Sequence, residues 1–162
     1  MDIVVDASVA VKWFNVKDED KVDLALEIQK QKTENIMEII VPGLFFLEIV
    51  NAFLTKSLFN IQDVLTIEEA LDKMNLVVAF PDHLTLKNAI NIAYENDLTI
   101  YDTIYIETAI ANGAMLLTED KKVLSTKNNI SGRVDWIIKE NQPGYILNYR
   151  IKKTRQVPVP CL

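Results

Sequence analysis

Ile3-Val4-Val5-Asp6-Ala7-Ser8-Val9-Ala10 decides how the rest of this chain is read. Three β-branched apolar residues in a row suit a strand buried on both faces, and Asp6 ends them with a residue type that caps helices well. From residue 7 to residue 14 the apolar positions change to helical spacing, so the stretch predicts a buried strand feeding directly into a helix. The same alternation recurs downstream. Residues 22–33 read as a polar helix and 38–41 as a second strand, closed by the breaker Pro42-Gly43. Residues 44–58 form a largely apolar helix in which Glu48, Asn51 and Thr55 lie at i, i+3 and i+7, one narrow polar stripe. A helix starting at Asp63 or Thr66 and ending near Met74 precedes Leu76-Val77-Val78-Ala79-Phe80, five apolar residues expected to be a central strand. Residues 82–95 and 102–112 read as helices, the second stopped by Gly113. Ala114-Met115-Leu116-Leu117 is a strand ending in Thr118-Glu119-Asp120, followed by a further helix or turn and a strand over residues 134–138.

Short buried strands alternating with helices predict an α/β domain of three layers, a mainly parallel central sheet flanked by helices. At 162 residues, with 49% apolar and 25% charged residues, the chain has the composition of one globular domain. Its longest apolar stretch, residues 39–53, is broken by Glu48 and by Pro42-Gly43, short of the roughly 18 residues a membrane span requires. No membrane association is expected. The N-terminus carries Asp2 and Asp6 where a secretory signal would carry positive charge, so it reads as a strand. One cysteine, Cys161, allows no internal disulfide, and with one histidine, His83, there is no Cys/His set for structural zinc. These features fit a cytoplasmic protein.

Charge divides the chain at about residue 140. The net charge is −6, yet residues 141–162 carry Arg150, Lys152, Lys153 and Arg155 and no acid, which leaves −10 on residues 1–140. We therefore expect a folded unit over 1–140 and a basic C-terminal extension over 141–162, with Pro143-Gly144 marking the transition. Phosphate neutralisation dominates nucleic-acid binding, so an acidic body could act on nucleic acid only through bound cations or local basic groups.

In open parallel sheets, ligands bind beyond the carboxyl ends of the strands. Asp6 and Asp120 fall at that edge, Asp102 lies at a helix N-terminus, and Glu48 lies on the polar stripe of its helix. Singly, each has an ordinary explanation. Asp6, Asp102 and Asp120 could be N-caps, Ser8 a cap, Thr118 a strand-end hydroxyl, and Glu48 with Asn51 a solvated face. Together they are more specific. If four carboxylates converged without a counter-ion, each close pair would cost about 4 kcal/mol at roughly 4 Å and an effective dielectric near 20, a penalty relieved by protonation or by a cation. Hard oxygen ligands select Mg²⁺ or Mn²⁺ over zinc. Such an ion would activate water, neutralise a phosphate and supply the positive potential that the acidic body lacks.

These residues resemble the PIN-domain ribonucleases, and among them the VapC-type toxins of toxin–antitoxin pairs. Ile3-Val4-Val5-Asp6-Ala7-Ser8 is similar to the family's opening strand with its first acid and nearby hydroxyl. Val41-Pro42 followed by Glu48-Ile49-Val50-Asn51-Ala52 resembles the strand, turn and helix carrying the essential Glu. Tyr101-Asp102-Thr103-Ile104-Tyr105 resembles the helix with the third acid, and Leu116-Leu117-Thr118-Glu119-Asp120 the strand-end Thr-x-Asp motif with the fourth. The resemblance covers residues 2–138. It implies a PIN-like fold and a metal-dependent endoribonuclease in which Asp6, Glu48, Asp102 and Asp120 are catalytic and bind one or two Mg²⁺ or Mn²⁺ ions. Ser8, Asn51 and Thr118 are accessory, Ser8 and Thr118 orienting the carboxylates or the water. It also implies an RNA substrate, a homodimer and a cognate antitoxin protein whose C-terminal segment fills the active-site groove. The basic extension departs from the family pattern.

Other acidic α/β sites fit less well. A receiver domain needs an acidic pair after the first strand and a phosphatase needs Asp-x-Asp, whereas Asp6 is followed by Ala7 and Ser8. No Gly-x-Gly-x-x-Gly follows a strand, so dinucleotide binding is not expected. The alternative left standing is a catalytically silent PIN-like scaffold for RNA or protein, its acids merely capping helices. In the extension, Arg150, Lys152, Lys153 and Arg155, with Tyr145 and Tyr149, are candidate contacts to RNA backbone or to a neighbouring subunit.

Overall fold

The computed structural model of the chain describes residues 2–16, 21–56, 59–126 and 135–136. Their strands are β1 (Asp2–Val5), β2 (Glu38–Pro42), β3 (Val77–Ala79), β4 (Met115–Leu117) and β5 (Asp135–Trp136). The helices are α1 (Ala7–Ala10, continued by a 3-10 turn, Val11–Trp13), α2 (Val22–Thr33), α3 (Leu44–Leu54), α4 (Ile61–Lys73), α5 (His83–Asn96), α6 (Ile100–Asn112) and α7 (Lys121–Ser125). The strands pair in the order β3-β2-β1-β4-β5, every pairing parallel, as the alternating pattern requires. Right-handed crossovers put the helices between β1 and β3 on one face of the sheet. The return from β3 to β4 runs the other way along the sheet and puts α5 and α6 on the opposite face, giving three layers.

The middle of the sheet is dry. Ile3, Val4 and Val5 of β1, Ile39 and Val41 of β2 and Leu116 of β4 are fully enclosed, with Phe45, Ile49 and Phe53 of α3 and Ile106 and Ala109 of α6 packed against them. Burial on both faces is what the continuous apolar runs of β1, β2 and β4 encode. The apolar run at 76–80 does not follow that rule. Instead of a central strand it supplies β3, the edge of the sheet, and Val77 and Val78 are substantially exposed. Apolar composition records a strand's fitness for a pleated surface and says nothing about its rank in the sheet.

Several element ends also differ from expectation, and at two helix starts a capping box explains the shift. α4 begins at Ile61 because Asn60 and Asp63 form a reciprocal capping box. α6 begins at Ile100, two residues before Asp102, because Thr99 and Asp102 form another. α3 stops at Leu54, and its outer face is not a purely polar stripe: Asn51 and Thr55 are exposed, but so are Leu54 and, at 74%, Leu47. Gly113 closes α6 in the left-handed conformation (φ 57°), the role predicted for it. No helix among the described residues is long and apolar enough to cross a membrane. The extension over 141–162, with its basic candidates, lies outside the described residues.

Candidate active site

β1 leads outward to β2 on one side while β4 lies on its other side, so the connections reverse direction between β1 and β4. That is the switch point at which a crevice opens beyond the strand ends. In register, Val5 faces Leu117, and the Asp6 amide continues the ladder by donating to the Leu117 carbonyl at 2.9 Å. Asp6 and Thr118 therefore leave adjacent strands side by side. Asp6 caps α1, its Oδ1 accepting the Ser8 amide at 2.9 Å, and its Oδ2 accepts the Thr118 hydroxyl at 2.7 Å. The same hydroxyl accepts the Asp120 amide at 3.0 Å, while Ser8 Oγ accepts the Glu119 amide at 3.1 Å. Asp120 caps α7 with Oδ1 alone, which takes the amides of Lys122 and Val123. Beneath this loop Glu119 is ion-paired to the buried Lys12 and, at 3.7 Å, to Lys21.

The other two acids come from opposite layers. Glu48 is half-buried on α3, and its Oε2 accepts the hydroxyl of Tyr105 on α6 at 2.5 Å. Asp102 lies one turn before Tyr105, and its Oδ2 accepts both the amide and the hydroxyl of Thr99, at 3.1 and 2.7 Å. Among the predicted accessory residues, Ser8 and Thr118 are tied into the centre. Asn51 is exposed, and among the described residues its side chain makes no hydrogen bond to another candidate.

The electrostatics link all four carboxylates. Asp6 is 9% exposed, and burial pushes its carboxyl above the ordinary range. The hydrogen bonds from Ser8 and Thr118 oppose that rise, and the charge of Asp120 adds to it. Burial likewise raises Glu48, against the hydrogen bond from Tyr105 and with the charges of Asp6 and Asp102. Asp102, Glu48, Asp6 and Asp120 thus form a row, in which Glu48 feels the charges of Asp102 and Asp6, and Asp6 that of Asp120. The row is not a ready cage, since among the described residues no three of His, Cys, Asp and Glu stand as a metal-binding group. The expectation of closely abutting carboxylates is corrected to that extent: each one is instead held by its own amide or hydroxyl donors. The donor set still fits a hard divalent ion, because Mg²⁺ keeps several waters and takes only one or two direct carboxylates. Asp6, Glu48, Asp102 and Asp120 are the residues that could hold it.

Two partners escaped the sequence reading. Thr99 was legible, since Thr-x-x-Asp before an apolar run is a capping-box pattern. Tyr105 stands three residues beyond Asp102 and so shares its face, but nothing in the sequence pairs it with Glu48, 57 residues away.

A family model described as the PIN domain matches residues 3–128. No curated protein matches the chain. Among solved structures, PAE2754 from Pyrobaculum aerophilum superposes with a TM-score of 0.59 at 21% identity, covering 94% of this chain and 96% of its own. VapBC2 from Rickettsia felis, bound to a DNA fragment from the promoter, gives a TM-score of 0.60 at 14% identity and covers 86% and 100%. FitAcB from Neisseria gonorrhoeae gives 0.58 at 11%, covering 84% and 96%. At these identities the likeness is one of fold.

Proposed function

Because the chain belongs to the PIN domain family, we propose that it is a metal-dependent endoribonuclease that hydrolyses RNA phosphodiester bonds in the cytoplasm as the toxin of a toxin–antitoxin pair. One observation carries this reading. Asp6 and Asp120 leave the carboxyl ends of adjacent strands at the switch point, coupled in charge to Glu48 and, through it, to Asp102, and among the described residues no basic side chain is hydrogen-bonded to any of the four. A bound Mg²⁺ or Mn²⁺ would supply positive charge for a phosphate and a more acidic water. The chain's own residues supply the rest. The buried Asp6 and the half-buried Glu48 are the anions that favour a cation, Asp102 and Asp120 extend the row on either side, and Ser8 and Thr118 fix the Asp6 carboxylate through both of its oxygens.

An antitoxin partner and a homodimer belong to the same proposal, with Leu47 and Leu54 on α3 as apolar surface available for burial. So does contact of Arg150, Lys152, Lys153 and Arg155 with RNA backbone, which deletion of 144–162 would test across a salt series. The scaffold alternative is favoured by one feature, that Asp6, Asp102 and Asp120 all serve in helix caps. The two readings part on a direct assay. Purified chain incubated with single-stranded RNA and Mn²⁺ should generate internal cleavage products that EDTA abolishes and that Asp6→Asn does not form. An intact, well-folded chain that binds RNA or protein but leaves RNA uncut, with no Mn²⁺ uptake, would establish the scaffold instead.

A further inference from the structure

Tyr105 sits at 2% exposure between the layers, yet its hydroxyl points at a carboxylate rather than into the apolar core. Phenylalanine would fill the same space, so packing alone leaves the hydroxyl unexplained. Glu48 has a long, flexible side chain, and Tyr105 provides its one hydrogen bond among the described residues. Tyr105 also follows Asp102 by one turn of α6, so a single helix carries one acid of the row and the clamp on another.

We propose that Tyr105 is a positioning residue of the acidic centre, fixing the Glu48 carboxylate through Oε2 and leaving Oε1 for a divalent cation. The proposal rests on the metal-centre reading above. It joins α3 and α6, from opposite faces of the sheet, into one ligand arrangement, in the way outer partners of metal ligands fix their orientation.

The test is a double-mutant cycle read by Mn²⁺ binding calorimetry on the full chain, with parent, Tyr105→Phe, Glu48→Gln and the double variant, each also melted in EDTA. Tyr105→Phe should weaken Mn²⁺ about 10- to 100-fold, the range for loss of such a partner, while metal-free melting stays cooperative. In the Glu48→Gln background the same change should cost no further affinity, a coupling that a merely structural tyrosine would not show. Parent affinity in Tyr105→Phe, equal losses in both backgrounds, or loss of cooperative metal-free melting would overturn the positioning role alone. A parent chain that takes up no Mn²⁺ would overturn the metal centre and this role with it.

Discussion

The hydroxyl of Thr118 donates to the Asp6 carboxylate at 2.7 Å, joining residues 112 apart in sequence at the ends of two adjacent strands. Because the same oxygen accepts the Asp120 amide, one side chain sets both the angle of Asp6 and the start of the loop that carries Asp120. Thr118 is 4% exposed, so water cannot take over either bond without entering the core.

Thr118→Val keeps the shape and removes the hydroxyl. It should leave the buried Asp6 acceptor and the half-buried Asp120 amide unmatched, lowering stability by about 1–3 kcal/mol, and should cut RNA cleavage by more than the stability loss explains. Thr118→Ser should restore most of both. Urea unfolding and initial cleavage rates on the three proteins measure it, and a valine variant with parental rate would detach Thr118 from the centre.

Asp6→Asn removes a buried charge and keeps an amide oxygen for the Ser8 N–H. Without divalent ions the variant should be as stable as the parent or slightly more so, because the ionised carboxylate is disfavoured by burial and by Asp120. Cleavage should fall to background. A large loss of metal-free stability would mean that Asp6 acts chiefly as the cap of α1.

The contrast between these residues and α3 shows how far the sequence could be read. Asp6, Thr118 and Asp120 end continuous apolar runs, and in a parallel sheet such ends all face one edge, so their meeting follows from local pattern and topology. The sequence pattern puts Glu48 in a polar stripe, but helical periodicity marks a face without saying what covers it. Here the cover is Tyr105, from the opposite layer, and part of the exposed face is Leu47 and Leu54. The edge rank of β3 was hidden for the same reason: order in the sheet is set by crossovers, which leave no mark on the strand's own residues.

Protons should report on the same row. Asp6 and Glu48 have carboxyls raised above their reference values of 3.8 and 4.5, so the folded chain holds those protons more tightly than the unfolded chain does. The stability they contribute is fully present below those reference values and is lost as pH rises through the higher, folded ones. Metal-free parent should therefore lose more stability between pH 4.5 and neutrality than the Asp6→Asn, Glu48→Gln double variant, once each is referred to its own value at pH 4.5. Urea midpoints in EDTA at closely spaced pH values decide it, and parallel curves would show that the two groups are solvated like surface acids.

Divalent ions should reverse that loss at neutral pH. A ligand that binds only the folded chain stabilises it by about 2.7 kcal/mol at one hundred times its dissociation constant, which for a domain of this length raises the melting temperature by roughly 5–10 °C. Mn²⁺ and Mg²⁺ should both produce the rise and EDTA should cancel it. The rise should shrink sharply in Asp6→Asn, since the coupled row then lacks its most buried anion. It should also shrink as pH falls, because protons and cations compete for the same oxygens. A shift of equal size in parent and Asp6→Asn would place the ion elsewhere on this acidic surface and leave the row without a metal.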